Sequence, residues 1–331
     1  MNNPVWRTLA AALSCLALLL WPPGAAAAEP AERVPTVGVL TINPPLPGVT
    51  YGRIGEELAK LGHVEGRNLR IEVRHAGGNP DRLPEMAAEL VRLKVDVIYA
   101  ITTPAVLAAR DATRTIPIVG YAMHGALEIG LVSNLRQPGG NVTGTDSMAL
   151  DLDAKRLELF RQLVPGLARL TVLYDTSDQG SPHHLKHLET AGKAIGMGIS
   201  SLTIGRPEDI APLLAANAGR PLGGLYPLTS NTVFRYWPRV AAFALANRVI
   251  TLCEFRQMAV AGCLMSYGPS LDYLNTRGAA QIDKILRGTP PGELPVERPS
   301  RFELVINLKT ARALGLTVPQ SLLLRADEVL E

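Results

Sequence analysis

Residues 95–121 read VDVIYAITTPAVLAARDATRTIPIVGY. The first six residues form a short apolar run rich in β-branched side chains, which is typical of a strand buried on both faces of a parallel sheet. Helix-forming residues follow at Val106–Ala112, and Ile116–Tyr121 repeats the apolar strand pattern. The stretch therefore predicts a strand, a tight loop, a helix and a second parallel strand, the repeating unit of α/β folds.

The loop between the first strand and its helix contains Thr102, Thr103 and Pro104. Thr103 fits the N-cap position, and Pro104 fits the first helical position. Open α/β sheets bind ligands at the carboxyl ends of their strands, where the free N–H groups of a helix start favour anions. The two hydroxyls therefore either hold a carboxylate or act as ordinary helix caps, and the stretch alone leaves both interpretations open.

The same alternation extends in both directions from this stretch. Upstream and immediately downstream, strands and helices are predicted near residues 37–42, 51–61, 69–73, 83–93 and 142–145. A second run is predicted near residues 152–163, 170–174, 182–195, 199–204, 208–216, 222–226, 232–247 and 249–253. The strand at 69–73 alternates apolar and charged residues, which indicates a sheet edge. The pattern predicts an α/β protein with two Rossmann-like lobes built on parallel sheets.

The remainder of the chain adds a strand, a helix, a proline-rich linker and one further strand. A chain that returns to the first lobe and then crosses to the second explains this order, and the crossings would form a hinge of several strands. The expected division is a signal peptide at residues 1–28, a first lobe at 34–146 and 262–290, and a second lobe at 147–261 and 293–331.

The 331 residues have a globular composition, with 47% hydrophobic and 19% charged residues. A net charge of +3 and an aromatic content of 5% do not indicate a nucleic-acid surface. The first 28 residues resemble an export signal, with an apolar run at Leu9–Trp21 and a small-residue cleavage site at Ala28. We therefore expect a periplasmic protein cleaved near Ala28, rather than a lipoprotein anchored at Cys15.

Cleavage would leave two cysteines, Cys253 and Cys263. An oxidising compartment permits a disulfide between them. The two residues lie ten positions apart, near two separate predicted strand starts, and we expect two buried free thiols.

The sequence contains no G-x-x-x-x-G-K-[ST], H-E-x-x-H, G-x-S-x-G or C-x-x-C motif, and no G-x-G-x-x-G follows a predicted strand. His183, His184 and His187 cluster at a helix start, where a solvated helix face explains them better than a metal site. We therefore expect no enzyme, no catalytic residue, no cofactor and no metal.

Polar residues follow the predicted strands of both lobes at their carboxyl ends. If these ends face each other, they line one cleft for a small polar ligand, although each residue alone is also explained as a cap or turn residue. The candidate ligand-binding residues are Asn43, Thr102, Thr103, His124, Asp175, Ser177, Thr229, Asn231 and Glu254. The candidate apolar walls are Tyr51, Tyr121, Tyr226 and Tyr267.

Several blocks of sequence are distinctive as a set. They are GHVEGRNL (62–69), PDRLP (80–84), PGGNVTG (138–144), LMSYGP (264–269), FELVINLKTA (302–311) and LLLRADE (322–328). Together the blocks resemble the ABC-transporter substrate-binding protein family that includes tryptophan- and tyrosine-binding members. They span nearly the whole chain after the signal peptide.

This resemblance implies a type I periplasmic-binding fold: two Rossmann-like lobes, three crossovers, a ligand in the cleft and no catalysis. It places the ligand carboxylate on Thr103-Pro104-Ala105. It places further contacts on Asp175–Ser177, Ser230–Asn231 and Glu254. The chain departs from the family pattern at His124-Gly125, where Asp-Pro is frequent, and at Ser230, where an acidic residue is usual.

We therefore predict a monomeric periplasmic receptor that captures a small polar ligand, an amino acid or a carboxylate-like molecule. It would deliver this ligand to an ABC permease in the inner membrane. The alternative is a periplasmic sensor that reports to a membrane kinase or chemoreceptor. Neighbouring genes for a permease and an ATPase would favour transport over sensing.

Overall fold

Strands and helices alternate along the chain as the sequence predicts. A computed structural model describes residues 33–44 and 53–331. The predicted signal peptide and Tyr51 lie outside these described residues. Within the described part of the chain, no helix is long and apolar enough to cross a membrane.

The strands, in chain order, are β1 (Thr36–Thr41), β2 (Arg70–His75), β3 (Val97–Ile101), β4 (Ile118–Met123), β5 (Val142–Asp146), β6 (Arg169–Asp175), β7 (Gly198–Ile204), β8 (Gly224–Pro227), β9 (Ile250–Cys253), β10 (Met265–Pro269), β11 (Val296–Glu297), β12 (Phe302–Asn307) and β13 (Glu328–Leu330). The helices are α1 (Ile54–Lys60), α2 (Leu83–Arg92), α3 (Thr102–Ala112), α4 (Asp153–Leu163), α5 (Ser181–Ala194), α6 (Ile210–Asn217), α7 (Asn231–Ala246), α8 (Arg256–Val260), α9 (Leu271–Leu286), α10 (Leu308–Leu314) and α11 (Gln320–Leu323).

The first sheet has six strands in the order β11-β5-β4-β3-β1-β2, and every neighbouring pair is parallel. The alternating strand β2 lies at the edge, as predicted. In β3, the alternate residues Ile98 and Ala100 pack into one hydrophobic cluster, and Val97, Tyr99 and Ile101 pack into another. Both faces of β3 are therefore buried, as its apolar run predicts.

The second sheet has seven strands in the order β13-β12-β10-β9-β8-β6-β7. Its pairs are parallel except β10 with β12, which is antiparallel. The sequence indicated two parallel α/β sheets, and the structure confirms this fold class. The short elements α8, β11, α11 and β13 carry no clear periodicity, and the sequence did not indicate them.

The chain passes between the two sheets three times, after β5, after β10 and after β11. Residues 262–290 were expected in the first lobe, but Met265–Pro269 pairs with β9 and β12 in the second sheet. Conversely, Val296 pairs with Gly144 in the first sheet, whereas residues 293–331 were expected in the second lobe. Hydrogen bonding decides which sheet a short apolar strand joins, and this pairing is not visible in its own sequence.

Cys253 and Cys263 form a disulfide, so the expectation of two free thiols was wrong. Cys253 ends β9, and Cys263 lies just before the neighbouring strand β10. Helix α8 turns the chain back between them, which brings their Cα atoms to 6.4 Å. This distance lies within the range of roughly 4.4–6.8 Å that a disulfide requires.

The first crossing begins at Asp146, a buried residue at the end of β5. Burial raises the pKa of its carboxyl group from 3.8 to about 6, although a hydrogen bond from the Met148 N–H (2.6 Å) and the charge of Arg298 oppose the shift. Because its pKa is higher in the folded state, this group weakens folding as the pH rises from about 4 through 6.

Replacing Asp146 with asparagine should therefore raise the free energy of unfolding by about 2–3 kcal/mol at pH 7.5. At pH 4 the gain should vanish, because the aspartate is then protonated in the folded protein. Urea unfolding at both pH values measures the difference. Asp111→Asn removes an exposed carboxylate and should change stability by less than about 0.5 kcal/mol. Equal stability of Asp146→Asn and the unmodified protein at pH 7.5 would contradict the expectation.

Candidate functional site

Strand ends of both sheets converge on one cavity, here called the cleft cavity. Its first-sheet side is formed at the carboxyl ends of β3 and β4, and its second-sheet side at those of β8 and β9. The lining residues are Ile101, Thr102, Tyr121, Ala122, His124, Ser147, Thr229, Ser230, Asn231, Phe234, Glu254, Phe255 and Leu271. The cavity thus brings together five candidate ligand-binding residues: Thr102, His124, Thr229, Asn231 and Glu254.

Thr102 lines the cavity and has an unpartnered hydroxyl. Helix α3 begins at Thr102, two residues before the predicted start at Pro104, and no side chain caps it. The Thr102 Oγ1 is buried and has no hydrogen-bond partner among the described residues. Thr102 and Ala122 both hold left-handed backbone, with φ of 69° and 50°. Strained backbone of this kind is concentrated at functional sites.

Thr103 has a different role from the predicted cap. Its Oγ1 accepts a hydrogen bond from the backbone N–H of His124 and donates to the His124 carbonyl, both at 3.2 Å. Thr103 is fully buried and ties helix α3 to the end of β4. Ala105 lies in the hydrophobic cluster on one face of the first sheet and does not line the cleft cavity.

Among the described residues, Asn43 with Asn231 and His124 with Asp178 form side-chain contacts that join the sheets across the cleft. The Asn43 Nδ2 donates to the Asn231 Oδ1 at 3.0 Å, and both residues are buried. The His124 Nε2 lies 3.1 Å from the Asp178 Oδ1. The side chains of this second pair are only 7% and 3% exposed, so water screens their interaction weakly.

The charge of His124 follows from its neighbours. Burial lowers the pKa of its imidazole, but Asp178, with Glu254 and Asp146 further away, outweighs burial and raises the pKa to about 9. His124 is therefore protonated at neutral pH and donates its Nε2–H to Asp178. The cleft cavity consequently has one cationic side chain in its wall.

Asp175 and Ser177 support the cavity from outside its lining. The Asp175 Oδ1 accepts hydrogen bonds from the Ser177 N–H (2.9 Å) and hydroxyl (2.6 Å). Its Oδ2 accepts from the Ser230 hydroxyl at 2.9 Å. Ser230 in turn caps helix α7 by accepting from the Val233 N–H. Both predicted residues therefore order the loop after β6 and the start of α7.

Glu254 places a carboxylate on the second-sheet side of the cavity. It is 2% exposed, and its Oε1 accepts from the Thr229 N–H at 2.9 Å. The guanidinium of Arg156 lies near enough to interact with it electrostatically. The Asn231 side chain adds a donor, because its buried Nδ2 has no partner among the residues that the structure describes.

The apolar walls differ from the predicted tyrosines. Tyr121 lines the cavity, whereas the Tyr226 hydroxyl bonds Asp153 and Tyr267 packs on Phe302. Phe234 and Phe255 form the other aromatic wall, with ring centroids 6.5 Å apart. The sequence pattern did not indicate these two phenylalanines, Ser147 or Asp178, although Phe255 directly follows the candidate Glu254. Phe255 and Ser147 lie within two residues of a strand end, and this proximity could have identified them.

The described residues contain no group of three or more His, Cys, Asp or Glu side chains arranged to hold a metal ion. Of the clustered histidines, His184 is buried and lies 2.9 Å from the Asp153 Oδ1, while His183 and His187 are exposed. The cleft cavity instead combines unpartnered donors, one cation, one carboxylate and aromatic rings. Such a set binds a small organic molecule with a polar end and an apolar end.

Known proteins resemble the chain over most of its length. A family model described as ABC transporter substrate binding protein matches residues 42–330. A tyrosine-binding protein of Clostridioides difficile (strain R20291) is 29% identical over 260 residues, which span 78% of this chain and 74% of that protein.

Solved structures also resemble the chain over most of its length. A conserved domain protein from Vibrio cholerae has a TM-score of 0.83 at 27% identity and covers 90% of this chain and 100% of its own. An ABC domain from Streptococcus pneumoniae in complex with L-Trp has a TM-score of 0.82 at 25% identity, with coverages of 89% and 99%. A leucine-binding protein from Thermotoga maritima, at 14% identity, has a TM-score of 0.53 with coverages of 77% and 83%, which shows the shared type I periplasmic-binding fold.

Proposed function

Because this chain belongs to the ABC transporter substrate-binding protein family, we propose that it is a periplasmic solute receptor for a small aromatic carboxylate or amino acid. It binds this ligand in the cleft cavity and delivers it to an ABC permease in the inner membrane. The observation that carries the proposal is the unpartnered Thr102 hydroxyl at the start of helix α3, in a residue that lines the same cavity as the aromatic rings of Phe234 and Phe255.

The polar end of the ligand is an anion in this proposal. The first N–H groups of helix α3 have no carbonyl partner within the helix, and a helix start favours negative charge. Thr102, the Asn231 amide and the protonated His124 add donors around the same cavity. Glu254 would accept from an ammonium group if the ligand is an amino acid.

The apolar end of the ligand is a ring. Tyr121, Phe234 and Phe255 line the cavity, and flat aromatic side chains favour stacked or edge-on rings. The tyrosine-binding relative and the L-Trp complex are consistent with this ligand class.

A binding screen tests the proposal. The purified protein is heated with L-tryptophan, L-tyrosine, L-phenylalanine, simple aromatic carboxylates and, as controls, aliphatic amino acids. A ligand at a hundred times its Kd should stabilise the protein by about 2.7 kcal/mol. Aromatic hits that are recovered unchanged support a receptor, whereas stabilisation by aliphatic compounds alone, or turnover of any compound, contradicts it.

Thr102→Ala should weaken binding of such a hit by about 1–3 kcal/mol, or roughly 5- to 150-fold in Kd, because a donor to the ligand anion is lost. Stability without ligand should change little, since the hydroxyl has no partner in the described chain. Thr102→Ser keeps the hydroxyl and should bind like the unmodified protein. Isothermal titration calorimetry and thermal unfolding measure the two effects.

Thr103→Ala should have the opposite effect, a loss of stability rather than a direct loss of a ligand contact. This change removes both bonds to the His124 backbone, so it should lower stability without ligand by about 1–3 kcal/mol. If instead Thr103→Ala weakened binding with no loss of stability, and Thr102→Ala did not weaken binding, the carboxylate would lie on Thr103 as the family resemblance suggests.

A further inference from the structure

A second and larger cavity lies at the Asn43–Asn231 contact, where Asn43 is one of its lining residues. Its volume is about 430 Å³, and we call it the Arg235 cavity. The first-sheet side is formed by residues after β1 and β2, and the second-sheet side by residues after β7 and on helix α7. The lining residues are Asn43, Pro44, Gly77, Gly78, Asn79, Pro80, Arg206, Pro207, Glu208, Arg235 and Tyr236.

Helix α7 connects the two cavities. Asn231 opens the helix and lines the cleft cavity, and Arg235 lies four residues later and lines the second cavity. Residues four apart lie on the same face of a helix, about 6 Å apart along its axis. Arg235 therefore lies one helical turn after Asn231, on the same face of helix α7.

The guanidinium of Arg235 is incompletely paired. Its Nη1 is buried and has no hydrogen-bond partner in the described ranges 33–44 and 53–331. Within those ranges it also forms no salt bridge with a carboxylate. A buried N–H on a charged group that makes no hydrogen bond is costly, so its partner is expected to come from outside the described chain.

The charges around the cavity favour an anion as that partner. Among the lining residues, Arg206 and Arg235 carry positive charge and Glu208 carries negative charge. Asp209, next to Glu208, is already used locally, because its Oδ2 accepts hydrogen bonds from the Gly205 and Arg206 N–H groups at 2.8 Å. The guanidinium fork of Arg235 matches the paired oxygens of a carboxylate or phosphate.

We propose that the Arg235 cavity is a second binding site, distinct from the cleft cavity, that takes the carboxylate or phosphate group of a small solute. Arg235 is its central donor, and Arg206 and Tyr236 line the same cavity. An anion bound there touches residues that follow strands of both sheets. It therefore adds a contact across the cleft beside the Asn43–Asn231 pair.

Thermal unfolding in the absence of any cleft ligand tests this site. Inorganic phosphate and malonate are the probes, each compared with sodium chloride at equal ionic strength. We expect one or both probes to raise the Tm of the unmodified protein and not that of Arg235→Gln. A response to phosphate alone identifies a phosphate site, and a response to malonate alone identifies a carboxylate site. Either result, or a response to both probes, supports the proposal. Equal responses of the two proteins, or no response beyond that of chloride, overturn it.

The matched control is Arg239→Gln, which removes the same charge from an exposed position one turn further along helix α7. It should respond to the probes like the unmodified protein. Thr102→Ala should also keep the full response, since it alters only the cleft cavity. A failure of the anion site therefore leaves the receptor proposal intact, and a failure of the aromatic screen leaves the anion site intact.

Discussion

Replacing Arg156 with methionine is expected to lower the free energy of unfolding by about 3–5 kcal/mol. The Arg156 side chain is fully buried. It donates to the carbonyls of Tyr267 (2.7 Å) and Ala149 (2.5 Å) and to the Asp153 Oδ1 (3.2 Å). Methionine fills similar space but leaves two carbonyls without their donor and takes the guanidinium charge away from the buried Asp153 carboxylate. Urea unfolding at pH 7 measures the loss.

Two further variants separate charge from packing. Arg161→Met removes an exposed arginine from the same helix and should cost less than about 1 kcal/mol. Arg161 donates a hydrogen bond to the Ile195 carbonyl. Arg156→Met combined with Asp153→Asn should recover part of the loss, because the buried carboxylate that has lost its arginine is then replaced by a neutral amide. If Arg156→Met stayed within 1 kcal/mol of the unmodified protein, the buried pair would not be a stabilising element.

Replacing Asp178 with asparagine should remove a pH dependence of stability and about 3 kcal/mol of stability below pH 6.5. The pKa of His124 is about 9 in the folded protein and near 6.5 when unfolded. The stabilisation is therefore complete below pH 6.5 and is lost as the pH rises through 9. Urea unfolding at pH 6, 7, 8 and 9 should show this decline in the unmodified protein and not in Asp178→Asn.

His187→Gln is the control for this experiment, because His187 is exposed. It should keep the decline between pH 6.5 and 9. A decline that survives unchanged in Asp178→Asn would show that another group causes it. Since His124 and Asp178 join the two sheets, Asp178→Asn should also weaken binding of the cleft ligand.

The sequence predicted the fold well because burial leaves a periodic pattern. The two-sided burial of β3 and the exposed edge strand β2 followed from apolar runs and alternation at 95–100 and 69–73. Polar residues at strand ends also predicted five lining residues of the cleft cavity.

Other features depend on approach in space, which periodicity does not record. The disulfide requires β9 and β10 to be neighbours, and the His124–Asp178 pair joins residues 54 positions apart. Thr102 and Thr103 are adjacent in sequence, yet one hydroxyl is unpartnered and the other bonds His124. Only the direction of each side chain separates these roles, and residue type cannot supply it.

The three passages of the chain between the sheets have a consequence for synthesis. Strand β11, which pairs with β5 in the first sheet, is formed by residues 296–297, and β13 of the second sheet is formed by residues 328–330. As the chain emerges from the ribosome, neither sheet can be completed until nearly all of the sequence has been made. A protein truncated before residue 296 would keep β5 as an open edge, which invites pairing with other chains. The two halves should therefore mature together, late, and not one after the other.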